Sequence, residues 1–117
     1  HTFLQEPCHR LFIQLSSTLG HQEIVAAFAL ADRVPGEFSA WVRTAVILPG
    51  DVPETLRDLE EFDVNLLVDR GGEFARWYGD QAALWLMRPD GHLGYRAHLS
   101  DGDQLLLYLR NLFARRD

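Results

Sequence analysis

A β-hairpin signal in the C-terminal third of the chain constrains the fold most strongly. Ala83–Met87 is an almost unbroken apolar run of strand length, which is typical of a strand buried on both faces of a sheet. The following Arg88-Pro89-Asp90-Gly91 favours a tight turn, because Pro fixes φ and Gly accepts the left-handed backbone that closes the turn. Residues 92–97 predict a return strand nearer the sheet edge. No catalytic group is obvious in either strand.

The rest of the chain alternates between segments of strand and helix character. Short apolar runs predict strands at residues 11–15, 41–48 and 64–68. Helical spacing predicts helices at residues 22–32, 51–62, 73–78 and from 100 or 101 onward. Pro35 is expected to stop the first helix, and Asp51 with Glu54 to start the second as a capping box. This order predicts an α/β fold: a mixed, mainly parallel sheet of about five strands with helices on both faces, ending in a hairpin and a helix.

Composition narrows the function classes. The 117 residues fit a single domain spanning 1–117, and 47% of them are hydrophobic, but no apolar run approaches the roughly 20 residues that a membrane span needs. Net charge is −6, and the eleven basic residues, all Arg, are scattered along the chain. We therefore expect neither nucleic acid nor membrane as a partner.

Cysteine content indicates the compartment. Cys8 is the only cysteine, so the chain can form neither an internal disulfide nor a Cys-x-x-Cys motif. This favours a reducing cytoplasm. The chain does not begin with Met and carries no secretory signal pattern, so we interpret it as a piece of a longer protein.

The order of elements resembles the thioredoxin fold, a three-layer sandwich. Within it, residues 67–79 place Asp69 and two glycines before a short helix that ends in Tyr-Gly, and residues 88–96 spell RPDGHLGYR. These segments resemble the C-terminal thioredoxin-like domain of FAD-dependent aromatic-ring hydroxylases, flavoprotein monooxygenases of the phenol hydroxylase and polyketide hydroxylase type. The specific likeness covers about residues 64–113, and the first half matches only by topology.

That resemblance implies a non-catalytic domain excised from the C-terminal end of a larger flavoprotein. In that family FAD and the aromatic substrate lie in two larger N-terminal domains, on which the thioredoxin-like domain packs, often contributing to dimerisation. FAD and NAD(P)H would then serve the parent enzyme. This chain has no Gly-x-Gly-x-x-Gly turn, so FAD binding by it alone is not expected.

The sequence departs from active thioredoxins where their chemistry would lie. The loop after the first strand, residues 16–20, reads SSTLG without a cysteine, and Ala82-Ala83 stands where a cis-proline would precede the hairpin. Both differences argue against thiol–disulfide exchange, which needs an attacking thiolate and normally a resolving partner.

We therefore predict that the hairpin and the last helix dock against the parent's N-terminal domains or in a homodimer. The candidate interaction residues are Arg88, Asp90, His92, Tyr95, Arg96, Leu106 and Leu107. Leu106 and Leu107 fall off the core stripe of the last helix, so they meet either another part of the fold or a partner. No catalytic, cofactor-binding or metal-binding residue is predicted.

An alternative function is an independent thioredoxin-like thiol enzyme. Cys8 would be the nucleophile of a one-cysteine peroxidase, with His9 adjacent and Arg10 favouring the thiolate. Against this, sequence neighbours in a strand point in different directions, and Cys8 precedes the first strand.

Other chemistry-bearing residues have structural interpretations. Asp69 and Asp90 could act as paired carboxylates, but each also fits a strand end or a turn. The tryptophans are expected to be core or interface anchors, and no pair among the histidines, including His21, His92 and His98, has metal-ligand spacing on one helix face.

Overall fold

The sheet and helices form three layers. The computed structural model describes residues 8–18, 20–38, 41–50, 65–69 and 71–114. In chain order the elements are β1 (His9–Gln14), α1 (His21–Phe38), β2 (Val42–Pro49), β3 (Asn65–Asp69), α2 (Glu73–Tyr78), β4 (Ala83–Met87), β5 (Leu93–His98), a 3₁₀ turn (Leu99–Asp101) and α3 (Gly102–Ala114). The helix predicted over 51–62, with Asp51 and Glu54, lies outside the described residues.

The five strands form one mixed sheet in the order β3-β2-β1-β4-β5. β1 pairs in parallel with β2, and β2 with β3, whereas β4 is antiparallel to both β1 and β5. The predicted α/β, thioredoxin-like architecture with a mixed five-stranded sheet and helices on both faces is confirmed. Its centre is β1, which carries the loop into α1.

One face of the sheet, the core face, packs against α1 and α3. Strand alternation places Leu11 and Ile13 of β1 on this face, and both are fully buried. The helices contribute the apolar stripes that meet them, including Ala27, Leu30, Val34, Leu105, Leu106, Leu109 and Phe113. None of the helices in the described ranges is long and apolar enough to cross a membrane.

The opposite face carries an aromatic cluster. Phe12 of β1 lies directly opposite Trp85 of β4, and α2 places Phe74 and Tyr78 over them. The Tyr78 and Trp85 ring centroids are 4.9 Å apart. Because the rings that α2 contributes are large, a helix of six residues covers this part of the sheet although none of its own residues is fully buried.

Two predicted helix boundaries are wrong. α1 continues through Pro35 to Phe38, because Val34 and Phe38 are buried one turn apart, and burying a Phe offsets most of the roughly 3 kcal/mol cost of an interior Pro. At the last helix neither Ser100 nor Asp101 is the cap. Both lie in the 3₁₀ turn, whose N-terminal cap is His98, and α3 begins at Gly102.

Candidate functional site

A carboxylate from the first turn of α1 holds the loop that joins β1 to α1. The Ser16 backbone N–H donates to Glu23 Oε1 at 2.6 Å, and the Ser16 hydroxyl is hydrogen-bonded to Glu23 Oε2 at 3.0 Å. The Gly20 N–H also donates to Glu23 Oε2, at 3.4 Å. The positive end of the helix dipole favours a negative charge here. Glu23 therefore fixes the conformation of a loop that carries hydroxyls in place of thiols.

A second carboxylate, Asp80, binds the next residue of this loop. The Ser17 backbone N–H donates to Asp80 Oδ1 at 2.7 Å, and the Ser17 hydroxyl donates to Asp80 Oδ2. These bonds, the hydroxyl one above all, hold the pKa of the Asp80 carboxyl below its usual value. The Ser17 hydroxyl therefore donates its proton to Asp80, which is close in space but 63 positions away in sequence.

Gln14 anchors the Asp80 segment to the sheet. Its side chain is buried at the end of β1, where Oε1 accepts the Trp85 Nε1–H at 2.9 Å and Nε2 donates to the Gly79 carbonyl at 2.6 Å. Sequence reasoning missed Gln14, Glu23 and Asp80. The one available signal was a glutamine inside an otherwise apolar strand, since buried polar groups require partners.

A cavity of about 150 Å³ adjoins this loop at the carboxyl ends of β1 and β2. Its lining mixes apolar and acidic side chains and includes Leu15, Ile47, Leu48, Asp69 and Asp80. Asp69 accepts the Phe74 and Ala75 backbone N–H groups, each at 3.0 Å. Its two oxygens therefore serve to begin α2, while Asp69 also ends β3, the strand-end position that the sequence offered for it.

The hairpin turn is a small exposed ionic cluster. Asp90 accepts the His92 backbone N–H at 3.0 Å and pairs with Arg88 at 2.9 Å. The backbone hydrogen bond is the main reason that the pKa of the Asp90 carboxyl is lowered. The stem of Arg88 lies across Gly94, where a Cβ would approach Arg88 Cγ to 2.8 Å. Asp90 thus closes the turn, and its carboxylate has partners separate from those of Asp69.

The two remaining interaction residues of β5 pack within the chain. Tyr95 stacks on Tyr108 of α3 with ring centroids 4.5 Å apart. The Arg96 guanidinium lies over the Trp85 ring, 4.8 Å from its centroid, and Arg96 is exposed. Arg96 is thus positioned by an aromatic ring and accessible to solvent.

The two leucines of the last helix have different environments. Leu106 is 2% exposed and belongs to the core cluster, whereas Leu107 is 51% exposed. Leu106 therefore meets another part of the fold and is inaccessible to a partner. Leu107 remains accessible, so the homodimer prediction loses one of the two residues on which it rested.

Cys8 lies at the other end of β1, about 26 Å from Ser16 at the rise of an extended strand. Its side chain is partly buried. His9 is buried on the core face, where its ring meets Phe113 edge-on with centroids 5.4 Å apart. Arg10 is exposed on the opposite face. The His9 imidazole and the Arg10 guanidinium therefore lie on different faces of the sheet, as alternation predicts.

The histidines and tryptophans have separate surroundings. His98 Nδ1 accepts the Ser100 backbone N–H at 3.1 Å, and His21 is exposed. No group of three or more His, Cys, Asp or Glu side chains within the described ranges could hold a metal ion. Trp41 stacks on Phe113, whereas Trp77 is 81% exposed on α2, in contrast to the buried Trp85.

Comparison with known proteins identifies the fold. No family model and no curated protein matches the chain. Among solved structures, it superposes on the exposed lipoprotein thioredoxin of Streptococcus pneumoniae with a TM-score of 0.68, 16% identity and coverage of 92% of this chain and 89% of that one. Peroxiredoxin Q of Xanthomonas campestris gives 0.72 at 12% identity, covering 90% and 79%. A putative thiol:disulfide interchange protein DsbE of Chlorobium tepidum gives 0.69 at 12% identity, covering 90% and 80%. The chain has the thioredoxin-like fold.

These comparisons overturn the predicted parentage. The similar structures are stand-alone thioredoxin-like proteins, so the identification as the C-terminal domain of an FAD-dependent aromatic-ring hydroxylase is wrong. The predicted docking function and the N-terminal FAD and substrate domains as partners are wrong with it. In this chain the short helix before Gly79, the buried β4 and the Arg88–Asp90 turn serve the local structure. They therefore indicate an architecture and not a flavoprotein parent.

Proposed function

We propose that this chain is a stand-alone thioredoxin-like thiol enzyme of the one-cysteine peroxidase type, in which Cys8 reacts. The observation that carries the proposal is a partly accessible thiol on a fold shared with peroxiredoxin and thiol–disulfide interchange proteins. Cys8 is the single thiol of the chain. The loop after β1 offers no competing thiol, because residues 16–20 read SSTLG.

The reaction proceeds in two stages. The Cys8 thiolate attacks one oxygen of a hydroperoxide, so that an S–O bond forms and the O–O bond breaks. The leaving oxygen takes up a proton, so that the hydroperoxide is reduced to an alcohol, or hydrogen peroxide to water, and the sulfur is oxidised to a sulfenic acid. Because the chain holds no second cysteine, an external thiol must displace water from the sulfenic acid. A second external thiol then releases Cys8 and leaves as a disulfide.

The test compares peroxide consumption by the wild type and by Cys8→Ser, with dithiothreitol as reductant. We expect thiol-dependent turnover in the wild type and its loss, by about a hundredfold or more, in Cys8→Ser, because the alcohol is a far weaker nucleophile. Ser17→Ala is the matched control and should keep wild-type turnover. Dimedone trapping followed by mass spectrometry should label Cys8 after one equivalent of peroxide.

Two outcomes would contradict this function. Equal peroxide consumption by the wild type and Cys8→Ser would assign the activity elsewhere. If the wild type consumes hydrogen peroxide and alkyl hydroperoxide no faster than dithiothreitol alone, the proposed peroxidase activity is wrong.

The proposal includes a cytoplasmic location and independence from flavin. A lone thiol stays reduced and reactive in the cytoplasm, where glutathione can supply the external thiol. Cell fractionation with an antibody would test the compartment, and recovery from an oxidising compartment would contradict it. The purified chain should be colourless, and stoichiometric flavin absorbance would show that this part of the proposal is wrong.

A further inference from the structure

We propose that three exposed arginines on the face of the sheet opposite α1 and α3 form a binding surface for an extended acidic peptide segment of a partner protein. These residues, Arg10 of β1, Arg43 of β2 and Arg96 of β5, are called the arginine surface below. The surface is separate from the cavity beside Asp80 and does not depend on Cys8.

The strand register places the three arginines on one face. Arg10 lies directly opposite Arg43 in the parallel β1–β2 pairing, so their Cα atoms are about 4.8 Å apart. Arg10 is also opposite Met87 of β4, and Arg96 is opposite Trp85 on the same strand. Alternation then gives Arg10, Arg43 and Arg96 the same orientation relative to the sheet.

The positive charges of this surface are not neutralised within the described part of the chain. Other arginines there form ion pairs, Arg33 with Asp103 at 3.6 Å and Arg110 with Glu37 at 2.7 Å. No described carboxylate forms an ion pair with any member of the arginine surface. Like charges directly opposite each other on neighbouring strands are destabilising. A bound carboxylate that reaches Arg10 and Arg43 together would reverse that cost.

Charge and dimensions favour an acidic peptide over other anions. From Arg43 to Arg96 the surface crosses three interstrand spacings, about 14 Å, and shifts by two residues along the strands, about 7 Å, so it spans about 16 Å and exceeds one small anion. An extended segment of about five residues, with carboxylates on alternate residues about 6.8 Å apart, covers it. Guanidinium groups bind carboxylates in bidentate geometry. Nucleic acid fits poorly, because three arginines form no continuous basic stripe along a phosphate backbone.

Fluorescence anisotropy with a labelled alternating Glu-Ser peptide tests the proposal on the intact chain. We expect the peptide to bind at low salt and to bind more weakly as salt is raised. Salt screens the attraction between exposed charges, and the Debye length is about 10 Å at 0.1 M. Arg10→Gln and Arg43→Gln should each raise Kd about threefold, and the double variant about tenfold. The matched control, Arg33→Gln with Arg110→Gln, removes the same net charge from the other side of the molecule and should leave Kd within about twofold.

The variants are expected to fold, because both arginines are exposed and their removal relieves repulsion. Three results would overturn the proposal: no binding of the Glu-Ser peptide, equal loss of affinity in the Arg33 and Arg110 control, or equal affinity for the neutral Gln-Ser peptide. Single-stranded thymidine oligonucleotide bound as tightly as the peptide would overturn the choice of an acidic protein segment.

Discussion

The two ends of β1 are held by different interactions, aromatic packing at one end and hydrogen bonds at the other. At its N-terminal end Phe113 of α3 packs against His9, Phe38 and Trp41, with ring centroids between 5.2 and 5.9 Å apart. At its C-terminal end Gln14 and the following loop are held by directed hydrogen bonds, two of them to the distant Gly79 and Asp80 and one to Glu23 in the first turn of α1. Apolar packing makes a large contribution to stability that depends little on direction, whereas each hydrogen bond contributes less and requires a particular geometry.

This contrast bears on function. The hydrogen-bonded end is the place where the thioredoxin fold usually keeps its thiols, and here its serines donate to Glu23 and Asp80. The apolar end carries two residues on which our proposals rest: Cys8, just before the strand, and Arg10, on the exposed face of the strand. Under the proposed function, the reactive thiol therefore lies at the end of β1 opposite the loop, while the frame of the fold is retained.

Removing the aromatic anchor should have the largest effect. Phe113→Ala deletes a side chain that is 5% exposed and contacts three rings, so it should lower the free energy of unfolding by about 3–4 kcal/mol. Urea denaturation followed by circular dichroism measures this change. Leu107→Ala on the same helix is the control and should stay within about 0.5 kcal/mol, because Leu107 is exposed. Similar losses in both variants would break the contrast between the two ends.

Removing the buried amide should cost less. Gln14→Leu keeps the volume but leaves the Trp85 Nε1–H and the Gly79 carbonyl without their partner, so we expect a loss of about 2–3 kcal/mol. The exposed Gln104→Leu is the control, with an expected change within about 0.5 kcal/mol. Hydrogen exchange at the Ser17 amide should also accelerate in Gln14→Leu, since Asp80 follows the released Gly79. Unchanged stability would mean that the hydrogen-bonded end does not depend on Gln14.

The sequence predicts those parts of the fold that local chemistry determines. The β4 strand, its turn at Pro89-Asp90-Gly91 and the α2 helix occur where predicted, because each depends on residues within a few positions. The Ser17–Asp80 pair joins residues that are 63 positions apart, so no local pattern reveals it. Leu106 illustrates the same limit, since its burial depends on which layers α3 meets. The RPDGHLGYR likeness failed for a related reason: residues that form a local turn do not specify a parent protein.

The smallest expected effect concerns the Asp80 carboxylate. Asp80→Asn should lower the free energy of unfolding by about 1 kcal/mol at neutral pH, because Ser17 loses a charged acceptor at an exposed site. The folded pKa of Asp80 is depressed, so its contribution is present above the pKa of the unfolded chain and is lost as pH falls through the folded value. The difference between wild type and Asp80→Asn should therefore stay constant near neutrality and shrink below about pH 4.

Urea titrations across this range, with the exposed Asp32→Asn as control, measure that dependence. A wild-type advantage that persists undiminished well below pH 4 would show that packing rather than the carboxylate charge holds this end of β1. The two ends would then be fastened in the same way. The two ends are held differently if the wild-type advantage over Asp80→Asn falls with the titration of Asp80. The contribution of Phe113 should not change with pH over the same range.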